Sequence, residues 1–276
     1  MLDKNELQKL KDIAKNIRIN IIKTVAAAGC GHPGGSLSAT DILTVLYFKK
    51  MKYKISNPDW SDRDRFILSK GHCTPLLYSV LAEAGFIKKQ LLETFRKINS
   101  VLQGHPVKNN IPGIEMSTGS LGQGLSIANG IALGLRLDKS PANIYTLLGD
   151  GELQEGMVWE AAMTSAHYEL DNLTAIVDLN GQQIDGMTKD IMNIEPVADK
   201  WRAFGWNVQV INGHNLKEID SALDKAKAVK CQPSIIIAKT VKGKGVSFME
   251  NSLKFHGSAP TPEQAELALK ELEKNG

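Results

Sequence analysis

Asn143-Ile-Tyr-Thr-Leu-Leu148 runs directly into Gly149-Asp150-Gly151-Glu152-Leu153-Gln154-Glu155-Gly156, and Leu173-Thr-Ala-Ile-Val-Asp-Leu179 runs into Asn180-Gly181. Both runs are short, apolar, rich in β-branched side chains and closed by glycine or polar residues, the pattern of parallel strands buried on both faces. Met157–Leu170 between them is a helix candidate, so strand, helix and strand fall within about forty residues as a βαβ unit. The alternation resumes with Trp206–Ile211, Leu216–Val229 and Ser234–Val241. This order predicts an α/β fold, a doubly wound, mostly parallel sheet with helices on both faces.

Upstream, Leu7, Leu10, Ile13, Ile17 and Ile21 recur at three-to-four spacing and predict a helix over Glu6–Ala28, stopped by Gly29-Cys30-Gly31. Further helices are expected over Ser38–Met51, Thr74–Ala84, Leu125–Leu135 and Pro262–Lys274, with a short strand Arg65–Ser69 leading into Lys70-Gly71-His72. No linker or repeat interrupts the pattern. A single domain over 1–276 is expected, with its core at about 6–245 and a loop and helix over 246–276.

Composition narrows the function classes. Of 276 residues, 42% are apolar and 23% charged, which excludes disordered, collagen-like and coiled-coil chains. No apolar run approaches the roughly 18 residues that span a bilayer, and the charged start MLDKNELQKLKD lacks a signal-peptide core. A cytoplasmic protein without membrane partners is expected. Cys30, Cys73 and Cys231 show no C-x-x-C spacing and read as free thiols. The net charge of +3 comes from dispersed lysines; nucleic-acid binding would need a basic stripe with aromatics, whereas small acidic ligands fit.

Open parallel sheets bind ligands at the carboxyl ends of their strands. There, glycines flanking Asp150 let backbone amides approach a phosphate, and the carboxylate offers Mg²⁺ a hard oxygen. Asn180, thirty positions later at the next strand end, adds a neutral oxygen; a backbone carbonyl, diphosphate and water would complete an octahedron. Alone, Gly149-Asp150-Gly151 reads as a tight turn. Its place after one strand, with Asn180 after the next, turns the reading towards a metal–diphosphate clamp. Gln154 stands where a nicotinamide fingerprint begun at Gly149 needs glycine, and no G-x-x-x-x-G-K-[ST] loop is present.

His32, His72, His105 and His256 each lie beside glycine in irregular segments. Singly, such histidines are turn or surface residues; four together point to proton exchange with hydroxyl and carbonyl groups. His167 and His214 match no site motif and are expected to be structural or superficial. From the residues alone, Gly119–Gly124 reads as a glycine-rich approach to a closely packed helix, Lys70 and Lys242 as solvated lysines, and Glu155 as a helix cap.

GDGELQEG followed by DLN looks like the thiamine diphosphate motif, and GCGHPGG, RDRFILSKGH, QGHP, TGSLGQG, KTVKGKG and FHGSAP, in that order between Asn16 and Pro260, resemble the amino-terminal part of transketolase. The resemblance implies the thiamine diphosphate-binding fold and transfer of a two-carbon ketol unit from a ketose phosphate to an aldose phosphate. It implies Mg²⁺, or Ca²⁺ or Mn²⁺, on Asp150, Asn180 and the backbone of Gln182. Cofactor contacts are implied for Lys70, His72, Gly119, Leu121, Gly151, Lys242 and His256, besides Asp150 and Asn180. His32 and His256 would touch substrate hydroxyls and assist proton transfer, His105 would hold the donor ketose, and Glu155 would couple to a second active site across a subunit contact. Gly35 departs from relatives that carry a hydroxyl three residues after the first histidine, with Ser36 beside it. The family's pyrimidine-binding and carboxyl-terminal domains have no counterpart here, so the resemblance implies a split transketolase completed by a separate carboxyl-terminal subunit, as α2β2. Alternatives are a deoxyxylulose phosphate synthase-like or oxo-acid dehydrogenase-like subunit, or a catalytically idle regulatory subunit.

Overall fold

Helix α1 (Lys4–Ala28) starts with a reciprocal cap: Glu6 N–H donates to Asp3, and the Glu6 carboxylate accepts from the Asp3 N–H. It buries Leu10, Ala14, Ile17 and Ile21 along one face and ends at Gly29 in the left-handed region. The computed structural model describes residues 2–108 and 110–274.

The helix expected over Ser38–Met51 is instead three pieces: α2 (Pro33–Ser38), α3 (Thr40–Val45) and a wide π turn over Leu46–Lys50. Pro33 is suited to a first helical turn and moves the start upstream. Ser36, Thr40 and Thr44 hydroxyls each donate to the carbonyl four residues back, at 2.7, 3.0 and 2.8 Å, a habit that bends helices.

Strand β1 (Arg65–Leu68) leads to α4 (Thr74–Ala84), then α5 (Gln123–Leu137), β2 (Ile144–Gly149), α6 (Gly156–His167) and β3 (Leu173–Leu179). A hairpin of β4 (Gln182–Gln183) and β5 (Gly186–Met187) follows, then α7 (Thr188–Ile191), α8 (Val197–Ala203), β6 (Asn207–Asn212), α9 (Leu216–Ala228), β7 (Ser234–Lys239) and α10 (Pro262–Lys274). Several expected ends shift. Helix α6 stops at His167; β6 begins after Trp206, whose indole N–H donates to the Ala162 carbonyl; β7 stops before Val241, whose N–H donates to His214 Nε2.

The main sheet has the order β1-β2-β3-β7-β6, with every neighbouring pair parallel. Alternate residues of each strand serve opposite faces. Phe66, Leu68, Leu147, Ile176 and Ile236 pack with α1, α3, α4, α9 and α10, whereas Ile67, Leu148, Val177 and Ile237 pack with α5, α6 and α8. Each such fully buried aliphatic side chain stabilises by about 1.5–3 kcal/mol. Two covered faces explain the unbroken apolar runs in the sequence. The register pairs Gly149 with Asp178 and Asp178 with Ala238, so three strands end on one line.

Candidate active site

Asp178 lies at the centre of that line. Its Oδ2 accepts from Lys70 Nζ at 2.5 Å, Ser38 Oγ at 2.5 Å and Asn180 Nδ2 at 3.2 Å, while Oδ1 accepts from the Thr240 hydroxyl. Both members of the ion pair are enclosed, with side-chain exposures of 2% for Lys70 and 0% for Asp178. Burial opposes both charges, but each partner outweighs it: Lys70 is held above its ordinary pKa and Asp178 below. The reading of Lys70 as a solvated lysine is thereby corrected. Asp178 went unassigned from sequence, although a carboxylate in an otherwise apolar strand is a signal, because such a charge requires a partner.

Asp150 and Asn180 follow the adjacent strands β2 and β3, whose ends are joined through the Gly181 N–H. Asp150 accepts from the Gly151 N–H at 2.9 Å and the Gly181 N–H at 2.5 Å, and Asn180 Oδ1 accepts from the Gln182 N–H at 3.2 Å. Burial, reinforced by the charge of Asp178, pushes Asp150 up to about 6. This is a carboxylate short of a cation. Beside it, Gln182 Oε1 is buried without a hydrogen-bond partner. Among the described residues no cluster of three or more His, Cys, Asp or Glu forms a metal cage. A carboxylate, an amide oxygen and the Gln182 carbonyl are a donor set that fits Mg²⁺ with its remaining positions on phosphate and water.

His32, His72 and His256 form a second group, with ring centroids 5.0, 5.4 and 5.6 Å apart. Lys242 joins it to the first: its Nζ lies 2.7 Å from His256 Nδ1 and 3.5 Å from the Gln182 carbonyl. Lys242 is 2% exposed, so its solvated reading is also corrected; burial lowers its pKa despite the attraction of Asp150. Burial first, and then the neighbouring cations, push His32 down to about 4, His256 down to about 3 and His72 well below its ordinary value. The trio is neutral at pH 7. An ammonium donating to His256 Nδ1 leaves the proton of that neutral ring on Nε2, available to an oxygen.

His105 stands apart from the trio, its ring against Gly119: a Cβ built at Gly119 would sit 3.0 Å from His105 Cδ2. Gly71 requires glycine for close approach, since a Cβ there would lie 2.7 Å from the Gly119 nitrogen. Leu121 is half-buried in the same loop. Glu152, unremarked in the sequence, ties this loop to both strand ends. Buried at 2% exposure, it accepts from the Ser69 hydroxyl, the Gly122 N–H at 2.9 Å and the Gly149 N–H at 3.0 Å. Glu155 occupies the N-cap position of α6 and makes no side-chain cap hydrogen bond, so the helix-cap reading is limited to its charge at the helix start; it is exposed, beside Gly122. His214 is structural, bound to Asp41 at 2.8 Å, and His167 is exposed. All three cysteines are free, and no helix among the described residues is long and apolar enough to cross a membrane.

Residues 9–273 match the family described as transketolase, thiamine diphosphate binding domain. The chain is 47% identical to the 6-deoxy-6-sulfo-D-fructose transketolase subunit of Clostridium sp. (strain MSTE9), covering 97% of both chains. It is 42% identical to an apulose-4-phosphate transketolase subunit of Phocaeicola vulgatus, covering 97% of this chain and 93% of that one. Human transketolase is 44% identical over 98% of this chain, which spans only 43% of the human protein. The crystal structure of Campylobacter jejuni transketolase superposes with a TM-score of 0.89 and 34% identity, covering 99% of this chain and 43% of that one.

Proposed function

The chain belongs to the transketolase family through its thiamine diphosphate-binding domain, and on that footing we propose that it is the amino-terminal subunit of a two-chain, Mg²⁺-dependent transketolase. It moves a two-carbon ketol unit from a ketose to an aldose, each ending in an anionic group, in concert with a carboxyl-terminal subunit that brings the pyrimidine-binding and carboxyl-terminal domains, as α2β2. Relatives matched over nearly their whole length carry "subunit" in their names, which supports a separate partner. The observation that carries the reading is the joined pair of strand ends, where the Gly181 amide binds Asp150 at 2.5 Å beside Asn180 and three neutral histidines.

Asp150, Asn180 and the Gln182 carbonyl hold the metal, with Ca²⁺ or Mn²⁺ able to replace Mg²⁺. Gly151, Lys242 and, through its loop, Lys70 face the diphosphate, while His72, Gly119 and Leu121 line the cofactor channel. When bound, thiamine diphosphate supplies the nucleophilic carbon for breaking and remaking the carbon–carbon bond. The protein's part is orientation and proton handling. His256, with its Nε2 proton, and His32, whose buried Nδ1 has no partner, serve the sugar hydroxyls; His105 holds the donor from across the loop. Glu155, exposed on the outer side, meets the second copy.

Calorimetry of thiamine diphosphate binding in the presence of Mg²⁺, for the native chain and Asp150→Asn, tests the cofactor site. Turnover by the assembled pair with xylulose 5-phosphate, 6-deoxy-6-sulfo-D-fructose or apulose 4-phosphate as donor tests the reaction. Binding that survives Asp150→Asn unchanged would refute the metal assignment. A partnered complex inert on all three donors would refute the transferase reading.

A further inference from the structure

We infer that His214 and Arg18, both held by Asp41, are positioning residues for Lys242: they fasten the backbone on either side of that lysine and so set how its ammonium meets the diphosphate, an inference that rests on the cofactor reading above. Three elements far apart in sequence converge here. Asp41 lies on α3, Arg18 on α1 and His214 in the turn between β6 and α9. Asp41 Oδ2 accepts from Arg18 Nη2 at 2.6 Å and from His214 Nδ1 at 2.8 Å. Both side chains then reach past the carboxylate to the turn that follows β7. His214 Nε2 accepts the Val241 N–H at 2.8 Å, and Arg18 Nε donates to the Lys244 carbonyl at 3.3 Å.

The convergence is enclosed and specific. Asp41 is 7% exposed; burial opposes its charge, but Arg18 and His214 outweigh it and hold its pKa below the ordinary value. Because His214 Nε2 accepts from Val241, the imidazole carries its proton on Nδ1, where the carboxylate fixes both tautomer and ring orientation. A Cβ built on Gly213 would lie 2.5 Å from Thr240 Cγ2, so glycine is what lets the end of β6 come close enough to β7 to bring His214 to Val241. The Gly213 N–H completes that approach by donating to the Lys239 carbonyl at 2.8 Å.

Lys242 explains why its backbone needs such a hold. Among the described residues no carboxylate pairs with its ammonium, which reaches only His256 Nδ1 at 2.7 Å and the Gln182 carbonyl at 3.5 Å. A lysine stem is flexible and its ammonium is a point charge, so without an ion pair the position of the backbone decides where that charge falls. Gly243 N–H donates to the Gly34 carbonyl at 3.0 Å, and the Lys242 carbonyl accepts from the Asn251 N–H at 2.9 Å. Those bonds hold the middle of the turn, and the Asp41 network holds its two shoulders. Arg18, Asp41, His214 and Lys244 also border a surface cavity of about 1010 Å³, so a shorter side chain there yields its space to water and leaves no closed void.

The test is calorimetry of thiamine diphosphate binding to the complex of this chain with its partner subunit, in the presence of Mg²⁺. His214→Asn keeps a donor for Asp41 but falls short of Val241; Arg18→Lys keeps the charge beside Asp41 but loses the fork that also reaches Lys244. Each should weaken binding by roughly three- to tenfold, the worth of one hydrogen bond, and His214→Gln, whose longer amide reaches the Nε2 position, should recover most of the loss. Lys242→Met should weaken binding by roughly 10- to 100-fold, as for a hydrogen bond to a charged group. In that background His214→Asn and Arg18→Lys should each add less than about twofold, because their effect passes through the ammonium. Losses that persist in full in the Lys242→Met background would show that the network serves the fold alone and would overturn the inference. So would single variants at 214 and 18, or a Lys242→Met variant, that bind like the native complex. A native complex that binds no thiamine diphosphate sinks the cofactor reading and this inference with it.

Discussion

Replacing Lys70 by methionine should destabilise the cofactor-free protein by about 3 kcal/mol, and a second substitution at Asp178 should restore part of that loss. The ammonium lies 2.5 Å from Asp178 Oδ2 and 2.8 Å from the Gly35 carbonyl, with 2% and 0% of the Lys70 and Asp178 side chains exposed. Removing one partner of a buried pair costs about 3–5 kcal/mol, because the other charge stays behind in a poor solvent. Ser38, Thr240 and Asn180 still donate to Asp178, which places the cost at the lower end of that range. Asp178→Asn in the Lys70→Met background removes the stranded charge and keeps an acceptor for the hydroxyls, so the double variant should be more stable than Lys70→Met alone. Urea denaturation followed by fluorescence of the Trp159, Trp201 and Trp206 cluster measures all four corners of the cycle, provided the m values agree. A double variant whose loss equals the sum of the single losses would show that the two charges do not interact, and the description of the strand ends would be wrong.

Gly71→Ala should separate the Gly119 loop from the end of β1, because the added Cβ would meet backbone at 2.7 Å; overpacking of this kind costs about 1–3 kcal/mol, and calorimetry should show weaker thiamine diphosphate binding. Glu152→Gln places an amide group against one of the N–H donors of Gly122 and Gly149, 2.9 and 3.0 Å away, and urea denaturation should record a loss of about 1–3 kcal/mol. His32 is held at about 4 when folded against 6.5 ordinarily. The unfolded chain therefore takes up the proton first, and stability, complete above pH 6.5, falls as pH drops towards 4; denaturation midpoints across that window should fall less steeply for His32→Phe, and an unaltered slope would refute the assignment.

The two sequence runs that end in Gly149 and Asn180 were readable because strands covered on both faces need no polar alternation, and their ends are where glycine and carboxylate stand out. Local cues failed where the deciding contact is itself local but optional, as in the hydroxyl back-bonds that divide Ser38–Met51. The hairpin Gln182–Met187 is too short to show any period. Lysine burial was illegible for a different reason: Lys70 and Lys242 look solvated until the topology sets Asp178 beside one and His256 beside the other. Likewise, four loop histidines could be picked out, but only the folded contacts show that His32, His72 and His256 group together while His105 packs against Gly119.

The two buried lysines divide the electrostatics between them. Lys70 is committed to Asp178, and this fixes Asn180, because the same carboxylate oxygen also takes the Asn180 amide N–H at 3.2 Å; the amide oxygen is thereby turned away from Asp178. On the proposed metal assignment, Asp178 supports Asn180 from behind, and loss of such a supporting group typically costs roughly 10- to 100-fold in metal affinity. Lys242 has no carboxylate of its own and donates instead to His256, so Asp150, with only two backbone N–H donors, remains the buried charge without a cation. A divalent ion placed there would offset that charge, and its effect would reach the histidines through Lys242 without any change in the strands. On this view the proposed metal site and the proposed proton-handling site are one charge system, and substitution of Lys242 should disturb both, whereas substitution of His32 should disturb the second alone.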